Sequence, residues 1–174
     1  MFQTLYHTLP VQQRKPPTVT SQMVHYDQTG ADESTSILLT FPSAPHNPKP
    51  ATAVALTHLR VATDVDKKGT ARPAIRIQGT KGELQVDGPA FRPTHWRTIF
   101  RDGKVEEHEE KIPGQGMFWE ADACGRSLRD AKQENEGMGW EESVVIMKVM
   151  DEVRKQGNLT YPEKIETLDY PVSL

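Results

Sequence analysis

The sequence has one cysteine, Cys124, and this excludes an internal disulfide bond. It also lacks an apolar run near the roughly 20 residues that a membrane-spanning helix needs, and residues 1–10 lack the charged and apolar regions of a signal peptide. These absences predict a soluble, cytoplasmic protein. The formal net charge is -3 and the basic residues are scattered, so the basic stripe of a nucleic-acid-binding protein is missing. We therefore expect neither nucleic acid nor a membrane as a partner.

Motifs for metals and nucleotides are also missing. The six histidines form no i, i+4 pair and have no cysteine nearby in the sequence, so no metal site is predicted. Gly114-x-Gly116 precedes a predicted helix, but Trp119 stands where a dinucleotide fingerprint needs its third glycine. We interpret this segment as a loop that starts a helix. Cys124 lies on the apolar side of that helix and is expected to be a buried structural thiol.

Strands dominate the first two thirds of the chain. Runs of β-branched and aromatic residues, interrupted by Gly, Asp and Asn-type turn signals, predict three hairpins at residues 18–41, 75–86 and 96–112. Four prolines within residues 42–50 predict an exposed loop. Residues 51–63 return to strand character, and the shift in alternation between Leu56 and Leu59 predicts a bulge there.

Helical periodicity is found both before and after the strands. Residues 2–9 are expected to be helical and are interpreted as the end of a truncated longer helix. Apolar residues near i, i+4 spacing predict helices at 117–132 and 141–156, and the tail from Leu159 is expected to begin with a short strand. This order predicts a single domain over residues 1–174. Its fold class is α+β, a mostly antiparallel open sheet with helices packed on one face and the other face free.

One loop has a composition suited to a polyol ligand. The segment Gly88-Pro89-Ala90-Phe91-Arg92-Pro93 carries an aromatic ring and a guanidinium between two prolines at the end of a predicted strand. Aromatic faces stack on the C–H surfaces of sugars, and arginine donates hydrogen bonds to hydroxyls. Two interpretations stay open here: Phe91 lines a binding pocket, or it fills a gap in the core.

Three blocks of sequence, taken together in this order, resemble a known family. They are Ala-Ile-Arg-Ile-Gln-Gly-Thr-Lys-Gly-Glu-Leu-Gln-Val at 74–86, Gly-Gln-Gly-Met-Phe-Trp-Glu-Ala-Asp-Ala at 114–123, and Trp-Glu-Glu-Ser at 140–143 with Met-Asp-Glu-Val-Arg at 150–154. The pattern is similar to the C-terminal domain of the Gfo/Idh/MocA oxidoreductases, in particular to their fungal D-xylose 1-dehydrogenase and dimeric dihydrodiol dehydrogenase branch.

The resemblance implies that this chain corresponds to one of two domains of a longer enzyme, and that the two domains have different roles. In the family, a Rossmann domain with the cofactor loop and the catalytic lysine lies upstream of the equivalent of Met1. The resemblance thus implies NADP as the cofactor of full-length relatives, no cofactor bound by this chain alone, and no catalytic residue within it. It implies a homodimer through the open sheet face. A full-length paralogue is the alternative partner that we consider.

The function that the resemblance implies is the substrate-binding and dimerisation half of an NADP-dependent oxidoreductase acting on the CH–OH group of a sugar or diol. This half is expected to be inactive alone. Phe91, Arg92 and Phe118 are expected to line the substrate pocket. The alternative is a non-enzymatic interaction or regulatory protein that pairs through its sheet with itself or with a full-length paralogue.

Overall fold

The structure is a computed structural model that describes residues 1–45, 48–62 and 73–169. The chain divides into two compact units, which we describe separately. Unit 1 contains residues 1–60 and 136–174, and unit 2 contains residues 61–135. A single domain over the whole chain stays a prediction. Among the described residues, none of the helices has the length and apolar character needed to cross a membrane.

Seven strands and three α-helices form within the described residues, together with short helical turns at Gln3–His7 and Val11–Gln13. The strands are β1 (Thr18–His25), β2 (Asp32–Phe41), β3 (Ala51–His58), β4 (Ile75–Gly79), β5 (Gly82–Val86), β6 (His95–Phe100) and β7 (Val105–Glu109). The helices are α1 (Phe118–Arg129), α2 (Trp140–Gln156) and α3 (Glu163–Glu166). Open antiparallel sheets combined with helices confirm the predicted α+β class.

Unit 1 contains a three-stranded antiparallel sheet in the order β1-β2-β3. The pairing of β1 with β2 confirms the first predicted hairpin, and Gly30 takes a φ of +75° in its turn. The described part of the loop at 42–50, which leaves out residues 46 and 47, is largely exposed as predicted.

The predicted bulge between Leu56 and Leu59 is wrong. The pairing of β2 with β3 is regular over the whole of β3, which ends at His58 before the alternation changes. The register instead shifts between Val24 and His25, at the end of β1.

The core of unit 1 lies on one side of this sheet. Leu39 and Phe41 of β2 are buried there against Tyr6 from the helical turn and Val145 from α2. The predicted N-terminal helix is thus present as the single turn Gln3–His7, which is a π-helix. Side chains at alternate positions of the three strands point away from this core and are largely exposed.

Unit 2 contains a four-stranded antiparallel sheet in the order β4-β5-β6-β7. Its two tight connections confirm the second and third predicted hairpins. Helix α1 follows the sheet in sequence and ends at Arg129, three residues before the predicted end at Lys132.

Two expectations about the helical part of the chain are wrong. Cys124 is exposed rather than buried, and no other residue of α1 is buried either. The tail from Leu159 forms the short helix α3 instead of a strand, since Pro162, with its fixed φ, sits at the N-cap and starts a helical turn. The prediction for residues 170–174 lies outside the described residues.

Candidate functional site

The candidate loop of unit 2 connects β5 to β6, and its base is closed by Asp87 and His95. The backbone N–H of Asp87 donates to the carbonyl of His95 over 3.0 Å. The Asp87 Oδ2 and His95 Nδ1 atoms lie 2.6 Å apart, so a side-chain hydrogen bond reinforces the backbone bond. The loop of residues 88–94 therefore leaves the sheet from a fixed base rather than as a freely hinged segment.

Arg92 ties the far side of this loop to the segment that precedes α1. Its Nη2 donates to the carbonyl of Ile112 over 3.1 Å, and its Nε donates to the carbonyl of Gly114 over 3.2 Å. These bonds use two of the five donors of a guanidinium. The structure thus gives Arg92 a positioning role toward the loop that leads into Phe118.

Phe118 begins α1 beside a second aromatic residue that the sequence interpretation did not assign to the site. The rings of Phe118 and Trp119 lie 4.9 Å apart with a tilt of 47°, and both side chains are exposed in large part. Gly116 has a φ of +85°, and a Cβ atom there would lie 3.2 Å from Cγ2 of Ile112, which is a tight contact, and 3.5 Å from the indole of Trp119, which is an ordinary one. The glycine is explained by its backbone conformation and the tight contact, which favours the interpretation of residues 114–116 as a loop that starts a helix.

Phe91 is 83% exposed in the same loop. This exposure argues against its interpretation as a plug of the core of unit 2. The structure thus connects Arg92 to the loop before Phe118 through two hydrogen bonds, while Phe91 projects from the loop that Arg92 anchors. A substrate-lining role for the three residues stays a prediction.

The electrostatics of the loop base centre on His95. Its Nε2 atom lies 3.0 Å from Glu107 Oε2 on β7, so the imidazole is placed between two carboxylates. The hydrogen bond to Asp87, followed by the charges of Asp87 and Glu107, raises the pKa of His95 above its ordinary value. Within the described residues, no group of three or more acidic, histidine or cysteine side chains is arranged to hold a metal ion.

We expect the stability of unit 2 to depend on the protonation of His95. Because the pKa of His95 is higher in the folded state than in the unfolded chain, its contribution is complete below about pH 6.5 and is lost as the pH rises through the folded-state pKa. Thermal unfolding between pH 6 and pH 9 measures this loss, and His95→Gln should flatten the slope. His108, which stacks on Trp96, provides the control: His108→Gln should leave the slope in place. An unchanged slope in His95→Gln would contradict the assignment.

A second polar network lies on β4 and β5, on the same face as His95. Arg76 donates from Nε and Nη2 to the two carboxylate oxygens of Glu83, at 2.5 and 2.7 Å. These hydrogen bonds from Arg76, together with those from Gln85 and Gln78, lower the pKa of Glu83 to about 2. The network accounts for the alternation of polar residues along both strands and is a structural feature of the sheet.

Unit 1 contains a buried carboxylate that sequence reasoning missed. Glu142, in the first turn of α2, is 1% exposed, and its Oε2 lies 2.6 Å from Nδ1 of His7. Its Oε1 has no hydrogen-bond partner among the described residues. Burial, followed by the charge of Glu141, raises the pKa of the neighbouring Tyr6. The spacing could have revealed this buried carboxylate. Glu142 precedes the core residue Val145 by three positions and therefore lies on the face of α2 that packs into the core.

Comparison with known proteins shows which enzymes the chain is similar to. No protein-family model matches the chain. The chain is 43% identical to D-xylose 1-dehydrogenase (NADP(+)) of Hypocrea jecorina over 96% of its length. It is 26% identical to human trans-1,2-dihydrobenzene-1,2-diol dehydrogenase over 78% of its length. The resemblance to the Gfo/Idh/MocA oxidoreductases is confirmed.

The match to these relatives covers only part of each. The chain spans 43% of the Hypocrea jecorina enzyme and 38% of the human enzyme. Among solved structures, the biliverdin reductase of Synechocystis, determined with biliverdin and NADP+, matches 90% of the chain and 43% of its own length at a TM-score of 0.54. At 11% sequence identity this last likeness concerns the fold alone.

Proposed function

We propose that this chain is the substrate-binding and dimerisation half of an NADP-dependent oxidoreductase that acts on the CH–OH group of a sugar or diol. The observation that carries the proposal is the 43% identity to an NADP-dependent D-xylose dehydrogenase, which extends over nearly the whole chain but less than half of that enzyme. In this proposal the chain corresponds to the C-terminal half, and the cofactor belongs to the other half.

The loop geometry supports a role in substrate selection. A sugar or diol offers C–H surfaces and hydroxyl groups, and these suit an aromatic face next to hydrogen-bond donors. In unit 2, Arg92 fixes the loop that carries Phe91 and orders the entry to α1, where Phe118 begins the helix. Arg92 acts on the substrate mainly by holding these aromatic residues in place, and its remaining donors are available to hydroxyls.

Hydride transfer requires groups that we assign to the other half. A nicotinamide cofactor must be held beside the substrate, and an acid or base must handle the hydroxyl proton. Gly114-x-Gly116 before α1 and Gly137-x-Gly139 before α2 have Trp119 and Glu142, respectively, at the position where a dinucleotide fingerprint needs its third glycine. We therefore expect the chain alone to be inactive and not to bind NADPH.

Titration of the purified chain with NADPH tests this proposal. We expect no saturable change in NADPH fluorescence in the micromolar range, either alone or with D-xylose present. The full-length Hypocrea jecorina enzyme, titrated in the same way, is the positive control for the assay. Saturable micromolar binding to the chain, or dehydrogenase activity of the chain, would overturn the assignment of the cofactor to the other half.

A second candidate is a non-enzymatic protein that pairs through the open face of the unit 1 sheet, with itself or with a full-length paralogue. The even-numbered positions 18–24, 34–40 and 52–58 form this face and include no Asp, Glu, Lys or Arg. Val24, Leu38, Val54 and Leu56 are exposed on it. An uncharged face with several exposed apolar side chains is typical of a protein interface. A chain that is strictly monomeric and well folded would contradict this candidate.

A further inference from the structure

His95 lies between two carboxylates that come from different strands of unit 2. Its Nδ1 lies 2.6 Å from Oδ2 of Asp87, directly after β5, and its Nε2 lies 3.0 Å from Oε2 of Glu107 on β7. An imidazolium has two N–H groups and can donate to both carboxylates, whereas a neutral imidazole has one N–H and can donate to only one of them. The link across β6, from the end of β5 to β7, is therefore complete only when His95 is protonated.

The two contacts of the imidazole are not equivalent. The contact with Asp87 is the shorter one, and the backbone N–H of Asp87 also donates to the carbonyl of His95 over 3.0 Å. A neutral imidazole therefore keeps its proton on Nδ1, toward Asp87, and presents the lone pair of Nε2 to the carboxylate of Glu107. Two electron-rich groups repel each other, so deprotonation of His95 turns its attraction for Glu107 into repulsion.

Glu107 has a second basic partner within reach. In the register of β6 and β7 it lies directly opposite Arg97, while His95 lies opposite Glu109. Directly opposite residues have Cβ atoms about 4.5–5.5 Å apart, closer than the diagonal neighbours. In the structure the Nε of Arg97 instead donates to the side-chain oxygen of Gln85 over 2.8 Å. The carboxylate of Glu107 can therefore move from His95 to Arg97 by a rotation of side chains.

The charges around His95 act in both directions. Those that the described strands of unit 2 bring to it are Asp87, Glu107 and Glu109, which favour the imidazolium, and Arg97, which opposes it. The hydrogen bond to Asp87, followed by the charges of Asp87 and Glu107, raises the pKa of His95. The link to both carboxylates is thus complete below about pH 6.5 and is lost as the pH rises through the folded-state pKa.

Three ties hold the candidate loop to the end of β7 and the segment that follows it. The N–H of Glu110 donates to the carbonyl of Thr94 over 2.8 Å, and the guanidinium of Arg92 donates to two backbone carbonyls in residues 112–114. The third tie is the contact of the imidazole with β7. Backbone groups do not titrate and arginine stays charged, so only the third tie changes near neutral pH.

We propose that His95 is a pH-dependent tie between the candidate loop and β7. When His95 is protonated, it holds Glu107 against the base of the loop. When it is neutral, it keeps its bond to Asp87 and Glu107 moves to Arg97. One of the three ties is then lost, so the loop is held less firmly to the end of β7 as the pH rises. This device goes beyond the proposed function, because it concerns only the way in which unit 2 holds the loop.

Titration of the histidine side chains by nuclear magnetic resonance, from about pH 5 to pH 9, tests the contact with β7. We expect Glu107→Gln to shift the midpoint of the His95 titration to lower pH, because a carboxylate that favours the imidazolium is gone. Glu109→Gln is the matched control, since it removes the same charge from the same strand, whereas the structure places Glu107 on Nε2. No shift in Glu107→Gln, or an equal or larger shift in Glu109→Gln, would overturn the proposal.

Hydrogen exchange tests the consequence for the loop. The amide of Glu110 donates to Thr94, and its protection factor should fall about threefold from pH 6 to pH 8 after correction for the intrinsic rate, since partly exposed ion pairs contribute about this much. Amides of β4, at the opposite end of the sheet, should lose less. In Glu107→Gln, the Glu110 protection should be equal at the two pH values. Equal protection in the wild-type chain, a loss that persists in Glu107→Gln, or an equal loss in β4 would overturn the proposal.

Discussion

Replacing His7 with alanine is expected to destabilise the chain by about 3 kcal/mol. The imidazole is the hydrogen-bond partner of a carboxylate that is almost fully buried, that of Glu142. Removal of one partner of a buried pair leaves an uncompensated polar or charged group, which costs about 3–5 kcal/mol. We take the lower end, because the His7 side chain is itself 26% exposed. Urea unfolding followed by circular dichroism measures the change in the free energy of unfolding.

The reciprocal variants distinguish a buried carboxylate from a simple loss of packing. Glu142→Leu leaves only the partly exposed His7 without its partner, so its cost should be smaller than that of His7→Ala. The double variant His7→Ala/Glu142→Leu should be more stable than His7→Ala alone, because the buried oxygens are gone. If His7→Ala costs less than about 1 kcal/mol, the buried carboxylate of Glu142 does not depend on its hydrogen bond with His7 and the assignment fails.

The regular elements could be predicted from the sequence wherever a local pattern determines them. Alternation with a period of two located the three hairpins, because each turn has its own glycine or short polar segment beside the strands. Helix α2 was predicted within one residue at its start, since acidic residues begin it and Gly157 follows it. Local patterns do not predict the burial of a side chain when that burial depends on residues distant in the sequence. The apolar stripe of α1 predicted a buried Cys124, but a stripe carries no information about which surface covers it.

The candidate site illustrates the same limit. Composition drew attention to the loop of Phe91 and Arg92, because an aromatic ring and a guanidinium stand between two prolines there. The partners of Arg92 are backbone carbonyls about 20 residues further on, which any residue type supplies. The pairing of Asp87 with His95 depends on the register of β5 and β6. Contacts of these two kinds follow from the fold and leave no residue pattern in the sequence.

Replacing Gly82 with alanine is the second change for which we expect a large loss of stability. The turn that contains it, Gly79-Thr80-Lys81-Gly82, was recognised from composition, but the two glycines are not equivalent. A Cβ atom on Gly82 would collide with the carbonyl oxygen of Ile99 on β6 and would lie 3.2 Å from Cα of Phe100. These are backbone atoms of a paired strand and cannot rotate away. We expect Gly82→Ala to destabilise unit 2 by about 3 kcal/mol, the upper end of the usual cost of overpacking.

Gly79→Ala is the matched control, because Gly79 and Gly82 face each other in the same hairpin. A Cβ on Gly79 would meet only the carbonyl oxygen of Gly82, at an ordinary contact distance of 3.6 Å. Its effect should stay within about 0.5 kcal/mol. Thermal unfolding of both variants measures the difference, and hydrogen exchange of the β5 and β6 amides locates it. Equal stabilities for the two variants would mean that β6 moves away from β5 at little cost, and that close strand approach is not the reason for glycine at residue 82.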